Sequence, residues 1–156
     1  MSVINWFCLS FDDLDTRQLH DILKLRVDVF VVEQNCPYPE IDGLDPHEGV
    51  CHLLGYQDGQ IIAYARLLPN GLKYNMPSIG RVIAHPNYRT GGLGHQIIKM
   101  ALRHAQEIWP RRDLFLQAQQ HLEAFYKAHN FQPCSDTYLE DNIPHVDMIY
   151  RRTEMR

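Results

Sequence analysis

The sequence predicts an α/β domain, and three observations predict it. Short β-branched runs alternate with longer segments of helical spacing; two strand-like runs are joined by Gln57-Asp58-Gly59; and a third ends in a glycine-rich step into a long amphipathic segment. Asp-Gly between alternating apolar residues is a strong hairpin signal. Glycines between a strand and a helix let the backbone approach a ligand where the helix aims its unpaired N–H groups and positive dipole end. At 156 residues the chain fits one domain, 1–156, large enough to bury a core without staples.

Taken in order, Asn5 to Phe11 reads as a first strand with Trp6 and Cys8 on one face. Asp12, Asp13 and Asp15 can start a helix in which Leu19, Ile22, Leu23, Leu25, Val29 and Phe30 recur at helical spacing. Its end, Val29 to Gln34, is rich in β-branched residues, and Pro37 and Pro39 forbid a regular helix beyond, so the chain is expected to turn irregular there. Pro39 to Glu48 is acidic and turn-rich, and loops of that length in a compact domain often carry function. Val50 to Tyr56 and Gln60 to Leu68 are the hairpin strands, ended by Pro69-Asn70-Gly71; Ser78 to Ala84 is the next strand. Gly92 through Trp109 is a helix with Leu93, Ile97, Met100, Ala101, Ala105 and Ile108 on one face, stopped at Trp109-Pro110. Asp113 to Gln119 suits a buried strand, and His121 to His129 a short helix carrying Leu122, Phe125 and Tyr126, with Asn130 at its left-handed end. Cys134 to Glu140 and Pro144 to Arg151 make a last hairpin around Asp141-Asn142.

Composition removes several classes. A net charge of -4, with no basic run longer than Arg111-Arg112 or Arg151-Arg152, offers no footprint for nucleic acid. Cys8, Cys36, Cys51 and Cys134 form no Cys-x-x-Cys pair and read as free thiols of a reducing compartment. The N-terminus has no basic region followed by a long apolar stretch, and no segment reaches membrane-spanning length, so a cytoplasmic protein without a membrane partner is expected. His47-Glu48-Gly49-Val50-Cys51-His52 misses the His-Glu-x-x-His zinc spacing by one residue, the other histidines show no ligand spacing, and no metal is expected. There is no Gly-x-Ser-x-Gly elbow for serine chemistry.

The chemistry concentrates in Ile79 to Gly94. Gly94 is followed by His95-Gln96 rather than Lys and Ser or Thr, which excludes a P-loop, and Ile97 stands where a dinucleotide fingerprint needs its last glycine. What remains is Arg89-Thr90-Gly91-Gly92-Leu93-Gly94 at a helix start, an anion site suited to a pyrophosphate. The pattern Arg89-x-x-Gly92-x-Gly94 resembles the acetyl-CoA loop of the GNAT superfamily of N-acetyltransferases. Leu25-Arg26-x-x-Val29-Phe30-Val31-Val32-Glu33-Gln34 and Ile41-Asp42-Gly43-x-Asp45 resemble the N-terminal hallmark of its ElaA-like branch, and Phe125-Tyr126-x-x-x-Asn130-Phe131 is similar to its closing motif.

The resemblance spans nearly the whole chain and implies a mixed central β-sheet flanked by helices, with splayed central strands forming an acetyl-CoA cleft. It implies that the backbone of Val82, Ile83 and Ala84 binds the pantetheine arm, that Arg89, Thr90, Gly91, Gly92, Leu93 and Gly94 hold the pyrophosphate, and that Tyr126 protonates the departing thiolate. An Asn that often touches the cofactor seven places before that tyrosine is Gln119 here. The attacking amine must be neutral, and a lysine-type amine with a pKa near 10.4 needs a base; Glu33 is the first choice and His145 the second. Arg26, Asp42, Asp45, His52 and Arg66 are expected to face a cationic acceptor, a small-molecule amine or a protein or peptide amine, in a monomer or homodimer. An acyl-homoserine-lactone-type synthase and a non-catalytic acyl-CoA sensor are the rival readings.

Overall fold

The computed structural model describes residues 3–152. Its strands are β1 (Asn5–Ser10), β2 (Cys51–Gln57), β3 (Gln60–Leu68), β4 (Ser78–Ala84), β5 (Leu114–Gln119), β6 (Phe131–Pro133), β7 (Tyr138–Glu140) and β8 (Ile143–Tyr150), and its helices α1 (Thr16–Arg26), α2 (Leu93–Ile108) and α3 (Glu123–Lys127). The strands form one sheet in the order β1-β2-β3-β4-β5-β8-β6, with β7 also paired to β8. Only β4 and β5 run parallel among the paired neighbours, so the sheet is mixed as expected.

The sheet is buried on both faces. On one, Leu93, Ile97, Ile98, Ala101 and Ala105 of α2 meet Ala63, Ala65 and Leu67 of β3 and Leu116 and Ala118 of β5. On the other, Ile22, Leu25 and Val29 cover Leu54, Tyr64 and Ile83. Removing each such Leu, Ile or Val side chain from water is worth roughly 1.5–3 kcal/mol, so the two helices are held mainly by these faces rather than by intrinsic propensity.

Asp15 is the residue that caps α1. Its carboxylate accepts the Gln18 N–H at 2.7 Å while the Gln18 side chain accepts the Asp15 N–H at 2.9 Å, a reciprocal pair in which the cap is worth about 1 kcal/mol. The crowding foreseen at the end of this helix takes a definite form: Val27–Glu33 widens into a π-helix, which carries the chain toward the acidic loop. Asn130 has φ 70°, and Asp141 and Asn142 are both left-handed, as a tight hairpin turn requires.

Two elements depart from the sequence reading. The segment expected as one helix from His121 to His129 is a 3-10 turn at Gln120–Leu122 followed by the five-residue α3. An unforeseen short strand, β6, stands at Phe131–Pro133, and the strand expected over Cys134 to Glu140 is reduced to β7, because residues 134–137 are not in strand. There the Ser135 hydroxyl, rather than a main-chain carbonyl, accepts the Asp147 N–H at 2.9 Å.

Candidate active site

β4 and β5 pair at one place, Ser78 opposite Phe115, with the Phe115 N–H donating to the Pro77 carbonyl at 2.9 Å. Beyond that point β5 gives its ladder to β8 along its whole length. β4 meanwhile bends away through a bulge: Arg66 faces Gly80 and Tyr64 faces Ile83, so Arg81 and Val82 share the space opposite Ala65. Arg81 sits at φ 52°, a left-handed conformation that a side chain with a Cβ resists. The parted strands enclose a cleft of ≈ 930 Å³, lined by β4 from Ser78 to Ala84 and, facing it, by Leu116, Gln117, Gln119, Phe125, Tyr126 and His145. Among the described residues the edge of β4 turned to the cleft has no strand partner past Ser78, so its main-chain groups, apart from the Ala84 carbonyl that Arg89 takes, are available to an extended ligand.

One end of the cleft is the glycine loop. Gly91 and Gly92 have φ 85° and 81°, and a Cβ at either would meet nothing within 4 Å, so glycine is demanded by the backbone conformation and not by crowding. Gly92 caps α2 without a side-chain hydrogen bond, leaving the first-turn N–H groups directed outward. Gly94 is different. A Cβ there would stand 3.3 Å from the Phe125 ring, so it is glycine for the close approach of α2 and α3. Arg89 donates from Nε to the Ala84 carbonyl at 3.0 Å and grips both oxygens of Glu33 at 2.5 and 2.8 Å. Thr90 is exposed beside it and Leu93 is buried under it.

The other end is braced by charges. Arg26, 0% exposed, donates to Glu40 and Asp45 at 2.6 Å each; Arg66, 1% exposed, bonds Asp42 at 2.7 Å and Asp45 at 3.0 Å; and Arg81 reaches Glu40 at 2.8 Å. The Tyr38 hydroxyl also donates to Glu40. Burial pushes the carboxyls of Asp42 and Asp45 up, but the arginines bonded to them outweigh it and hold both below the usual carboxylate range. His52 lies beneath, between the Tyr64 hydroxyl at 2.6 Å and the Asp45 carbonyl at 3.1 Å, and burial holds its pKa down.

These placements correct part of the sequence reading. Arg26, Asp45 and His52 do not line the cleft; a polar group taken out of water needs a partner, and beneath the cleft Arg26 and Asp45 find theirs in each other and His52 in the Tyr64 hydroxyl and the Asp45 carbonyl. Asp42 and Arg66 do line it, but bonded together. The loop is therefore not a free negative surface for a cation: three guanidiniums neutralise Glu40, Asp42 and Asp45, three of its four carboxylates, and the fourth, Glu48, is exposed. Glu33 lines the cleft with both oxygens taken by Arg89, which, against a smaller effect of burial, lowers its pKa. Gln119 lines it too and donates to the Gln34 side chain at 3.1 Å, tying the tip of β5 to the end of the π-helix.

His145 and Tyr126 complete the cleft from the β5 side. A 2.7 Å hydrogen bond joins His145 Nδ1 to the Ile143 carbonyl, an acceptor only, which puts the proton on Nδ1 and leaves Nε2 with a lone pair. Tyr126 is 6% exposed, and burial pushes its phenol well above the usual value. Glu40, Lys73 and Arg81 escaped the sequence reading as site residues. The signal for the first and last was an arginine in each of three apolar stretches, Leu25-Arg26-Val27, Ala65-Arg66-Leu67 and Gly80-Arg81-Val82, each of which demands a carboxylate somewhere.

Comparison with known proteins agrees with this geometry. Residues 26–152 match the family model described as an acetyltransferase (GNAT) domain. The chain is 40% identical to the protein ElaA of Escherichia coli over 146 residues, 94% of this chain and 95% of that one. Among solved structures it is similar to an acyl-CoA N-acyltransferase from Pseudomonas aeruginosa, at 42% identity and a TM-score of 0.90, covering 94% of this chain and 99% of that one. It is also similar to the crystal structure of Escherichia coli ElaA, at 38% identity and a TM-score of 0.91, covering 96% and 100%.

Proposed function

The chain belongs to the GNAT acetyltransferase family, among its ElaA-like members, and from that premise we propose that it transfers an acetyl group from acetyl-CoA to a primary amine by direct attack in a ternary complex. The observation that carries the proposal is the single β4–β5 pair at Ser78, which opens an unpaired β4 edge leading straight to the uncapped start of α2. An extended thioester arm suits the edge, and a pyrophosphate suits the N–H groups at Gly92 to Gly94. The intact Arg89-x-x-Gly92-x-Gly94 loop speaks against an acyl-homoserine-lactone-type synthase.

In this reading the amine nitrogen attacks the thioester carbonyl, an N–C bond forms, and the C–S bond breaks. The β4 backbone from Val82 to Ala84 orients and polarises that carbonyl. The amine proton goes to a base, and the geometry favours His145 Nε2 over Glu33, because a carboxylate held by Arg89 is the weaker base. The thiolate takes its proton from Tyr126, whose phenol stays protonated throughout the neutral range.

The test is thiol release from acetyl-CoA with a panel of amines and amine-bearing peptides, with wild type and Tyr126→Phe. The variant keeps the ring and loses the donor, so its kcat should fall by at least about tenfold, a floor below the typical contribution of acid–base assistance because water can substitute. Acetyl-CoA affinity should stay within about twofold of wild type, since binding rests on other groups. Acetyl-CoA binding without thiol release for any amine would leave an acyl-CoA sensor. An unchanged kcat in Tyr126→Phe, with chemistry rate-limiting, would remove Tyr126 from the reaction.

A further inference from the structure

The face of the sheet turned away from α2 carries His145 and the groups around it. On β5, Leu114, Leu116 and Ala118 are buried in the α2 core, so the alternation of a strand turns Phe115, Gln117 and Gln119 to the opposite face. Val146 and Met148 of β8 enter the same core, which puts His145 and Asp147 on that opposite face as well. On β4 Ile79 enters it and Ser78 faces away. Gln119 pairs with His145 and Gln117 with Asp147, so Gln117 stands diagonal to His145, about 7–8 Å from it. Ser78 pairs with Phe115 at the apex, two residues from Gln117. Ser78, Gln117 and His145 all line the cleft.

Two of these side chains have polar groups with nothing to bond. Among the described residues neither the Gln117 amide nor the Ser78 hydroxyl has a hydrogen-bond partner. Their neighbours on this face are spent within the protein: Gln119 on Gln34, His145 Nδ1 on the Ile143 carbonyl, and Asp147 on the Tyr138 hydroxyl. Ser78 is 2% exposed, a burial at which an unmade hydrogen bond is costly, and unlike Arg66 Nε its oxygen is not sealed off from the cleft. Charge gives no comparable signal. Lys73, Glu140 and Asp141 line the cleft without an ion pair, but they are exposed and of mixed sign, so water screens them.

We infer that Gln117, with Ser78 at the apex, binds a neutral amide of the acceptor, which makes the acceptor a peptide-like amine whose reacting nitrogen lies a few bonds from a carboxamide or peptide group. The inference rests on the acetyl-transfer reading for the role of the cleft. A side-chain amide offers an acceptor at Oε1 and donors at Nε2 together, and a hydroxyl both donates and accepts, so the pair complements a group that does both. A carboxylate brings no donor for Oε1, an ammonium no acceptor for Nε2, and an alkyl group leaves every one of these atoms unpaired. A site built to hydrogen-bond a substrate group therefore rejects the analogue that lacks it.

Binding of products, which needs no turnover, tests this. N-acetylglycinamide, N-acetylglycine, N-acetylethylenediamine and N-isobutylacetamide differ in one group, a neutral amide, a carboxylate, an ammonium and an alkyl branch of the amide's shape. Each is titrated by calorimetry, with saturating coenzyme A, into wild type, Gln117→Leu and Ser78→Ala, and coenzyme A alone into all three as the check that they are folded. Wild type should bind N-acetylglycinamide at least about tenfold more tightly than N-isobutylacetamide, the scale of one or two hydrogen bonds, and more tightly than either charged product. Gln117→Leu should reduce the tenfold ratio to below about twofold, and Ser78→Ala should reduce it in part. No measurable preference in wild type, a preference for either charged product, or a ratio that survives in Gln117→Leu would each overturn the assignment. A wild type that prefers the amide but releases no thiol with glycinamide or any other amine would instead overturn the acetyl-transfer reading and leave the amide subsite standing.

Discussion

The two ends of the cleft are built on opposite principles. At the glycine loop the binding groups are backbone: left-handed Gly91 and Gly92, the first turn of α2, and open space where a Cβ would go. At the acceptor end they are side chains: three arginines and three carboxylates drawn from α1, β3, β4 and the loop over Glu40 to Asp45, closed on one another. The first end leaves backbone donors unsatisfied for a ligand; the second spends its guanidiniums on carboxylates, with Arg66 Nε left as a buried donor without a partner. Rigidity at the acceptor end serves the loop end as well, since the Arg81–Glu40 bond holds the left-handed residue that bends β4 away from β5. Strain of that kind costs about 1–3 kcal/mol and persists only where surrounding contacts over-determine it.

If this contrast is right, changes at the charged end should act mainly on folding and changes at the loop mainly on binding. The largest effect is expected from Arg26→Met. It removes a fully buried cation and leaves Glu40 and Asp45 short of a partner, and breaking a buried pair in this way costs roughly 3–5 kcal/mol. Urea midpoints read that cost. Its pH dependence has a defined sign: the depressed pKa values of Asp42 and Asp45 stabilise the native state above the unfolded carboxylate value, near 3.9, and the contribution is lost as pH falls through the native values. In Arg26→Met the Asp45 carboxyl loses its main partner and its native pKa rises, so the gap between variant and wild type should narrow on acidification. A gap independent of pH down to about 3 would show that Asp45 is not held by Arg26.

The loop should answer in the other currency. Gly92→Glu places a side chain and a negative charge where φ is 81°, with a folding cost of about 1–2 kcal/mol for the left-handed residue. It should weaken coenzyme A binding by at least about tenfold, the effect of a repelled charge at an anion site. Calorimetry showing affinity within about twofold of wild type would put the pyrophosphate elsewhere.

His145→Gln and Glu33→Gln sharpen the boundary between the two ends. The acidic limb of the kcat/KM profile should disappear or shift in His145→Gln and stay in Glu33→Gln, whose carboxylate already serves Arg89. The reverse result would mean that Arg89 releases Glu33 when the ligand is bound. The smallest effect is expected from Gly94→Ala, where the new methyl carbon meets Phe125 at 3.3 Å and the ring must yield by a few tenths of an ångström. A shift of at most about 1 kcal/mol in stability is expected, read by thermal unfolding.

The sequence alone determined the order of strands and helices as far as β5, the Asp58-Gly59 hairpin, the Asp141-Asn142 turn and the glycine loop, because each is dictated by residues close together in the chain. Turn conformations, caps and amphipathic faces are local, and a backbone anion site needs little beyond glycines at a helix start. Ser78 to Ala84 was legible as a strand for the same reason, while the bulge at Arg81 that opens the cleft was not, since it depends on the register against β3. The tertiary structure alone decided which acid meets which arginine. Arg26, Arg66 and Arg81 lie up to 55 positions apart, and Glu40, Asp42 and Asp45 could each have faced solvent, a ligand or any of the three. Charge pairing is set by distances in space and by the cost of leaving a buried ion alone, neither of which is written in the spacing of residues. So the acidic loop that reads as a cation-binding surface is, through Glu40, Asp42 and Asp45, a brace for Arg26, Arg66 and Arg81.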